Sequence, residues 1–365
     1  MNIFVGIHKT WKRKEDPGLK VYKDILDYNS INYVELDSSD LDFWLQLNNI
    51  THFIFKWGHI DHHHQLAKTI LPIIENEYKI KCFPNQSTCW HYDDKIKQYL
   101  LLKVNKFPVV ESWTFWDKDK AIEWLESATF PLVFKLKGGA GGISVQLVKN
   151  KKHAIKLTRR IFGNGISQGN FGIKNTFITH NFNLKKIFRH YAIGLRNKFL
   201  LKEKIGFWQK HKNYIYFQKY LPNNEFDTRV TTAGLRVHAF RRFNRKNDFR
   251  ASGSDRWDIN PANIDMRMIE IALNISKHFG FQSMAYDFLH DENKNPKIIE
   301  MSYLYGGAGY PDFMNGYWDE NLIWHEGRFW PQHFELIDFL EIPNLKLPPN
   351  LKMESHYSKI KVATK

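Results

Sequence analysis

The chain has 365 residues, 43% apolar and 25% charged, including 28 Phe, 16 Tyr and 12 Trp. That length is ample for a large core, and that apolar content excludes disordered and collagen-like chains, which lack the groups needed to offset ordering entropy. Net charge is +15 but uneven: Lys149 to Arg250 holds 24 Lys and Arg against four acids, so +20 lies there and −5 elsewhere.

No run reaches the ~20 apolar residues of a membrane span, and MNIFVGIHKTWKRK lacks the apolar stretch of a leader. Cys82 and Cys89 supply neither a disulfide framework nor a four-thiolate zinc site. A cytoplasmic protein without a transmembrane segment is therefore expected.

NIFVGI, INYVELD and HFIFKW read as strands, and LKVYKDILDY and HQLAKTILPIIENEY as amphipathic helices with apolar spacings of three and four. Their alternation over residues 1–91 predicts a parallel α/β sheet. His59, His62, His63 and His64 fall at the start of the second helix. Neighbouring helix positions point in different directions, so a solvated helix start is favoured over a metal site.

From Tyr92 onward, DDKIKQYLLLKVNKF reads as a helix started by Asp93 and Asp94, PVVESWTF as a strand, DKDKAIEWLESA as a helix and FPLVFKLK as a strand. GGAGG precedes an alternating strand, ISVQLV, and a helix with a basic face, KKHAIKLTRRIF. Residues 163–185 lack periodicity and read as an insertion or loop facing substrate. YIYFQKY, DTRVTTA and LRVHAFRRF predict an antiparallel sheet. A helix over Met266 to Phe279 follows, then a hairpin of SMAYDFL and PKIIEMS across HDENKN. The aromatic run after Tyr305 reads chiefly as core, with stacking on sugar rings as the alternative, and residues 344–365 as a loosely held basic tail.

The chemistry begins at KLKGGAGGISV, where glycines let backbone amides approach an anion and Lys135 adds charge. No Gly-Lys-Ser/Thr ends the loop and a strand follows, so it is not a Walker A loop. It is either a flap over phosphates or a plain glycine-rich hairpin turn. Asp287 and Glu300 lie on successive apolar strands, where a carboxylate is costly unless it meets a cation or a base. Oxygen ligands of this kind suit magnesium bridging phosphates. The alternative is that each acid pairs with an arginine of the basic half.

In this order the motifs resemble the ATP-grasp superfamily, specifically the ATP-binding domain of glutathione synthetase and ribosomal-protein glutamate ligase, over about Asp94 to Tyr303. The resemblance implies an α/β N-terminal domain (1–91) followed by an α+β ATP-grasp fold whose two subdomains enclose the nucleotide: a central one (92–212) with the flap, and a C-terminal one (213–343) with the metal-binding acids. It implies phosphate contacts from Lys95 and Lys135, with Gly138, Gly139, Gly141 and Gly142 covering the phosphates. Adenine would pack at Gln218, Lys219 and Leu221, and ribose at Glu225. Arg229 and Arg250 would be the catalytic cations, with Arg241 and Arg242 on the strand before Arg250. Asp287, Glu300 and Ser302 would hold one or two Mg2+ ions, although Ser302 stands where the family usually has Asn, a stronger ligand, so water would complete the second metal position.

The implied reaction transfers the γ-phosphate of ATP to a carboxylate, and an amine then attacks the acyl phosphate, releasing ADP and phosphate. The +20 segment exceeds what one nucleotide requires, so an acidic second substrate is expected: a glycan, a nucleotide sugar or a peptide. A homodimer is compatible with the sequence. The alternatives are a phosphotransferase on the same site and a non-catalytic nucleic-acid binder. The latter is disfavoured because no RNA-binding aromatic pattern is present and paired acids repel phosphates.

Overall fold

The computed structural model describes residues 3–9, 17–59, 61–139, 141–142, 144–167, 209–254, 256–305, 315–352 and 361–362. Most of the expected loop at 163–185, and residues 306–314 of the aromatic run, lie outside the described residues.

The N-terminal unit is a four-stranded parallel sheet in the order Asn32–Leu36, Phe4–His8, His52–Ile54, Lys81–Phe83. Its helices are Pro17–Tyr28, which buries Leu19, Tyr22, Ile25 and Leu26, and Asp61–Asn76, which buries Ala67, Ile70, Leu71 and Ile74. Spacings of three and four put these side chains on one face, which is why the segments form helices that dock on a sheet.

A second sheet is antiparallel, in the order Ser112–Phe115, Ile215–Lys219, Leu132–Lys135, Val145–Val148. Helices Lys118–Ser127 and Lys151–Phe162, started by Asp117 and Asn150, cover it with Ala121, Leu125, Ala154 and Ile161. The run at 214–220 therefore pairs here, not with the two runs after it. Pro222 and the left-handed Asn223 (φ 60°) turn the chain away before the next strand begins.

The third sheet is the largest, ordered Pro296–Ser302, Ser283–His290, Phe226–Ala233, Arg236–Phe243, Arg256–Asp258, Lys361–Val362. Its helix spans Met266–Phe279, as predicted, started by Asp265 and ended by Gly280 at φ 64°. One hydrophobic cluster joins this sheet to the first, running from Phe53 and Ile70 to Met268, Phe288 and Ile298.

The tail is not uniformly loose. Leu345 and Leu351 are buried against Val5, Ile7 and Trp330, and Lys361–Val362 pairs with Arg256 and Trp257. A buried acid, Glu335, ties three regions together. It accepts from Tyr22 Oη and from Tyr305 Oη (3.0 Å), and Lys56 Nζ lies 3.5 Å away. Among the described residues no helix is long and apolar enough to cross a membrane.

Phe288 is fully buried in the shared cluster. Phe288→Ala is expected to cost about 3–5 kcal/mol, read as a lower midpoint in urea denaturation.

Candidate functional site

A cavity of about 580 Å³ lies between the second and third sheets, a size ordinary for a small-molecule site. Val133, Lys135 and Gln218 face it from the second sheet, Gly141 and Gly142 from the flap, and Asp227, Arg229, Arg242, Asp287 and Glu300 from the third.

Strand register builds the acidic and basic wall. Arg229 is the direct partner of Asp287, and Asp287 of Glu300, so three adjacent strands place these side chains in one row. Two residues along, Asp227 pairs with Arg242. Arg229 donates to Asp287 from Nε (2.8 Å) and Nη2 (2.9 Å). Arg242 donates to Asp227 from Nε and Nη2, both at 2.7 Å, and its Nη2 lies 2.8 Å from Asp287. Burial opposes ionisation of Asp287, but the two guanidinium groups outweigh it and hold the carboxyl well below the usual range. Burial dominates at Asp227 and pushes it up, against the pull of Arg242.

Asp287 thus has the arginine partners that the metal reading had set aside. It is nonetheless ionised, lines the cavity and stands directly opposite Glu300. Among the described residues no group of three or more His, Cys, Asp or Glu could hold a metal. Two carboxylates completed by phosphate and water oxygens are the donor set magnesium uses at nucleotide sites, so Asp287 and Glu300 fit such an ion. Ser302 lines the cavity, but its hydroxyl proton is committed to the carbonyl of Leu304 at 2.7 Å.

The two lysines take different places. Lys95, 3% exposed, opens the helix Lys95–Val104; its Nζ donates to the Gly139 carbonyl at 2.7 Å and lies 3.1 Å from Glu300. It links the base of the flap to the acid without lining the cavity. Lys135 lines the cavity and donates to the Ile299 carbonyl at 3.2 Å. Burial pushes its amine down to about 8, with Glu300 pulling the other way.

The flap needs its glycines, since Gly139, Gly141 and Gly142 have φ of 100°, 69° and 68°. Arg250 Nη1 donates to the Gly142 carbonyl (2.8 Å) and Arg245 Nη2 to that of Gly141 (3.1 Å). Arg250 is also bound to Asp248, so it grips the flap. Gly138 packs against Asp93, where a Cβ would come within 3.1 Å of Oδ2.

At the hinge, Gln218 and Leu221 line the cavity, with Gln218 donating to Ser112 at 3.3 Å. The Lys219 amine turns instead to Glu292, at 3.0 Å. Glu225 does not belong to the cavity: it sits in a bend and lines a neighbouring cleft with Phe226, His290 and Glu292. Arg241 also faces elsewhere, over the Phe226 ring at 4.5 Å, while its neighbour Arg242 enters the cavity. Alternation along the strand separates the two.

The sequence reading missed Asp93 and its histidines. Asp94 alone caps the helix, accepting from Ile96 and Lys97. Asp93, at φ 53°, accepts from Gly139 N (2.7 Å) and lies 3.1 Å from His59 Nδ1 and 3.4 Å from His64 Nε2. Trp57 Nε1 donates to His64 Nδ1 at 3.1 Å, which leaves the imidazole proton on Nε2, toward Asp93. Burial would raise the Asp93 carboxyl, but the His59 and His64 imidazoles beside it, with Lys95, hold it far below the usual range. The expected solvated helix start holds for His62, which is exposed, but not for His63, which is buried, or for His59 and His64, which face Asp93. The available signal was a doubled aspartate where one suffices for a cap.

A depressed carboxyl stabilises the fold above its unfolded pKa and loses that contribution as pH falls toward the folded value. Asp93→Asn is therefore expected to melt lower at pH 7, by about 1–3 kcal/mol in stability, with its deficit shrinking as pH drops below about 4. Thermal melts across pH check this.

Neither a protein-family model nor a curated protein matches the sequence. Solved structures do resemble the chain. The ligase PsnB with its minimal precursor has 13% identity and a TM-score of 0.52, with 86% of this chain and 95% of that one covered. D-alanine–D-alanine ligase of Bacillus anthracis with ATP has 12% identity and a TM-score of 0.50, over 84% and 87%. The macrocyclase MdnC of Microcystis aeruginosa MRC, bound to precursor peptide MdnA, has 10% identity and a TM-score of 0.50, over 83% and 92%. With a parallel α/β unit leading into two sheets that close on a glycine flap, the chain has the ATP-grasp fold.

Proposed function

We propose that the protein is an ATP-dependent ligase that joins a carboxylate to an amine through an acyl phosphate. The observation that carries this reading is the cavity itself, where Lys135, the flap, Arg229 and Arg250 converge on the Asp287–Glu300 pair. Transfer of a phosphoryl group needs fixed charge more than covalent chemistry. Lys135 neutralises phosphate oxygens, and Lys95 holds the flap base against Glu300 so that the backbone amides stay above them. Arg229 and Arg242 keep Asp287 ionised. Magnesium held by Asp287 and Glu300 would offset charge on the β- and γ-phosphates. Arg250 couples the flap to the third sheet, so closure would exclude water from the acyl phosphate.

Four cations and three carboxylates face the cavity (Lys135, Arg229, Arg242 and Arg250 against Asp227, Asp287 and Glu300), an excess of positive charge suited to anionic substrates. An acidic peptide is the preferred carboxylate, since PsnB and MdnC, which share the fold, were each solved with a precursor peptide.

The test is a panel of acids, acidic peptides among them, with magnesium ATP and hydroxylamine, read by mass spectrometry. Hydroxamate and ADP are expected, and EDTA abolishes both. Lys135→Ala and Glu300→Gln should each lower kcat by about 10²–10³, whereas Glu225→Ala, outside the cavity, should leave the KM for ATP unchanged. No ADP across the panel, with no thermal shift on adding ATP, would overturn the proposal.

A further inference from the structure

The proposed reaction leaves one proton without a destination. An amine that attacks an acyl phosphate must shed a proton, and most groups around the cavity cannot take it. Asp227 and Asp287 are taken up by Arg242 and Arg229, Glu300 faces Lys95, and the Tyr305 hydroxyl already donates to Glu335.

His59 is different. It comes from the N-terminal unit, just before the helix Asp61–Asn76, and among the described residues it alone brings that unit to the cavity wall. Its side chain is 31% exposed. Its Nδ1 lies 3.1 Å from Asp93 Oδ1, and the negative charge of that carboxylate favours the tautomer with the proton on Nδ1 and the lone pair on Nε2. The Tyr92 hydroxyl lies 3.3 and 3.4 Å from the two ring nitrogens. At that range it is a weak partner, near the limit of a hydrogen bond.

Asp93 is anchored in turn by Gly139 N and His64, so the orienting carboxylate is fixed from two further sides. Gly139 is also where Lys95 attaches, and Lys95 reaches Glu300. This chain of contacts links His59, on the cavity wall, to the base of the flap and through it to Glu300.

We propose that His59 is the general base of the second half-reaction, a role that rests on the ligase reading. The amine lone pair attacks the acyl carbon, the C–N bond forms, and the C–O bond to phosphate breaks with phosphate taking the electron pair. The proton shed by nitrogen passes to His59 Nε2. Asp93 is a positioning residue: it fixes the tautomer and offsets the charge of the imidazolium.

The acid found with hydroxylamine is offered two acceptors in parallel, hydroxylamine and a panel of α-amino acids. Hydroxylamine is largely unprotonated at neutral pH and strongly nucleophilic, so it has little need of a base. In His59→Gln the ratio of amide to hydroxamate is expected to fall about 10²–10⁴-fold relative to wild type, and in His59→Ala added imidazole should restore part of it. An unchanged ratio in both variants overturns the assignment, as does an equal loss of both products, which would place His59 in phosphate transfer or in the fold. If the wild-type protein yields neither ADP nor hydroxamate, the ligase reading falls and this inference falls with it. Amide formed normally by the variants overturns only the role of His59.

Discussion

Four charges on neighbouring strands, Arg229, Asp287, Arg242 and Asp227, form a continuous ladder of ion pairs that the rest of the site depends on. Each alone would be costly to bury, and removing any one would leave a charge stranded. Held together, they keep Asp287 ionised on a wall where Glu300 is its direct neighbour. The ladder also explains the burial of so many polar side chains in a sheet otherwise filled by Phe240, Tyr286 and Phe288.

A second junction serves the opposite wall. Asp93 and Lys95 leave the turn before one helix and meet the same glycine, one through its N–H and the other through its carbonyl. The flap is thus tied at its base to the histidines of the first unit and to Glu300 of the third sheet. Its tip is gripped separately, by Arg245 and Arg250. A loop whose glycines favour many conformations is given few of them.

Local signals in the sequence were strong where the structure is local. The helix Met266–Phe279 carries its own cap and terminal glycine, and the hairpin that sets Asp287 opposite Glu300 is read from alternation and a polar turn. The glycine flap lies between two strands that pair, as its flanking residues implied. What was not legible depends on distant pairing. That Ile215–Lys219 leaves the following strands for another sheet is decided by contacts with Ser112–Phe115 and Leu132–Lys135, about 100 and 80 residues away. The arginine partners of Asp287 depend on register across strands more than 40 residues apart, and the bend that sets Glu225 in a neighbouring cleft is equally invisible to local pattern. Asp93 was hidden behind a role that its neighbour fills.

Glu335 gives the assembly a mechanical property of its own. Tyr305 lines the cavity while its hydroxyl is held by Glu335, which also holds Tyr22 from the first helix. A ligand that displaces Tyr305 must therefore disturb a buried carboxylate shared with the opposite end of the molecule. The rim at that point is thus coupled to the packing of the first helix, and a push on one is felt by the other.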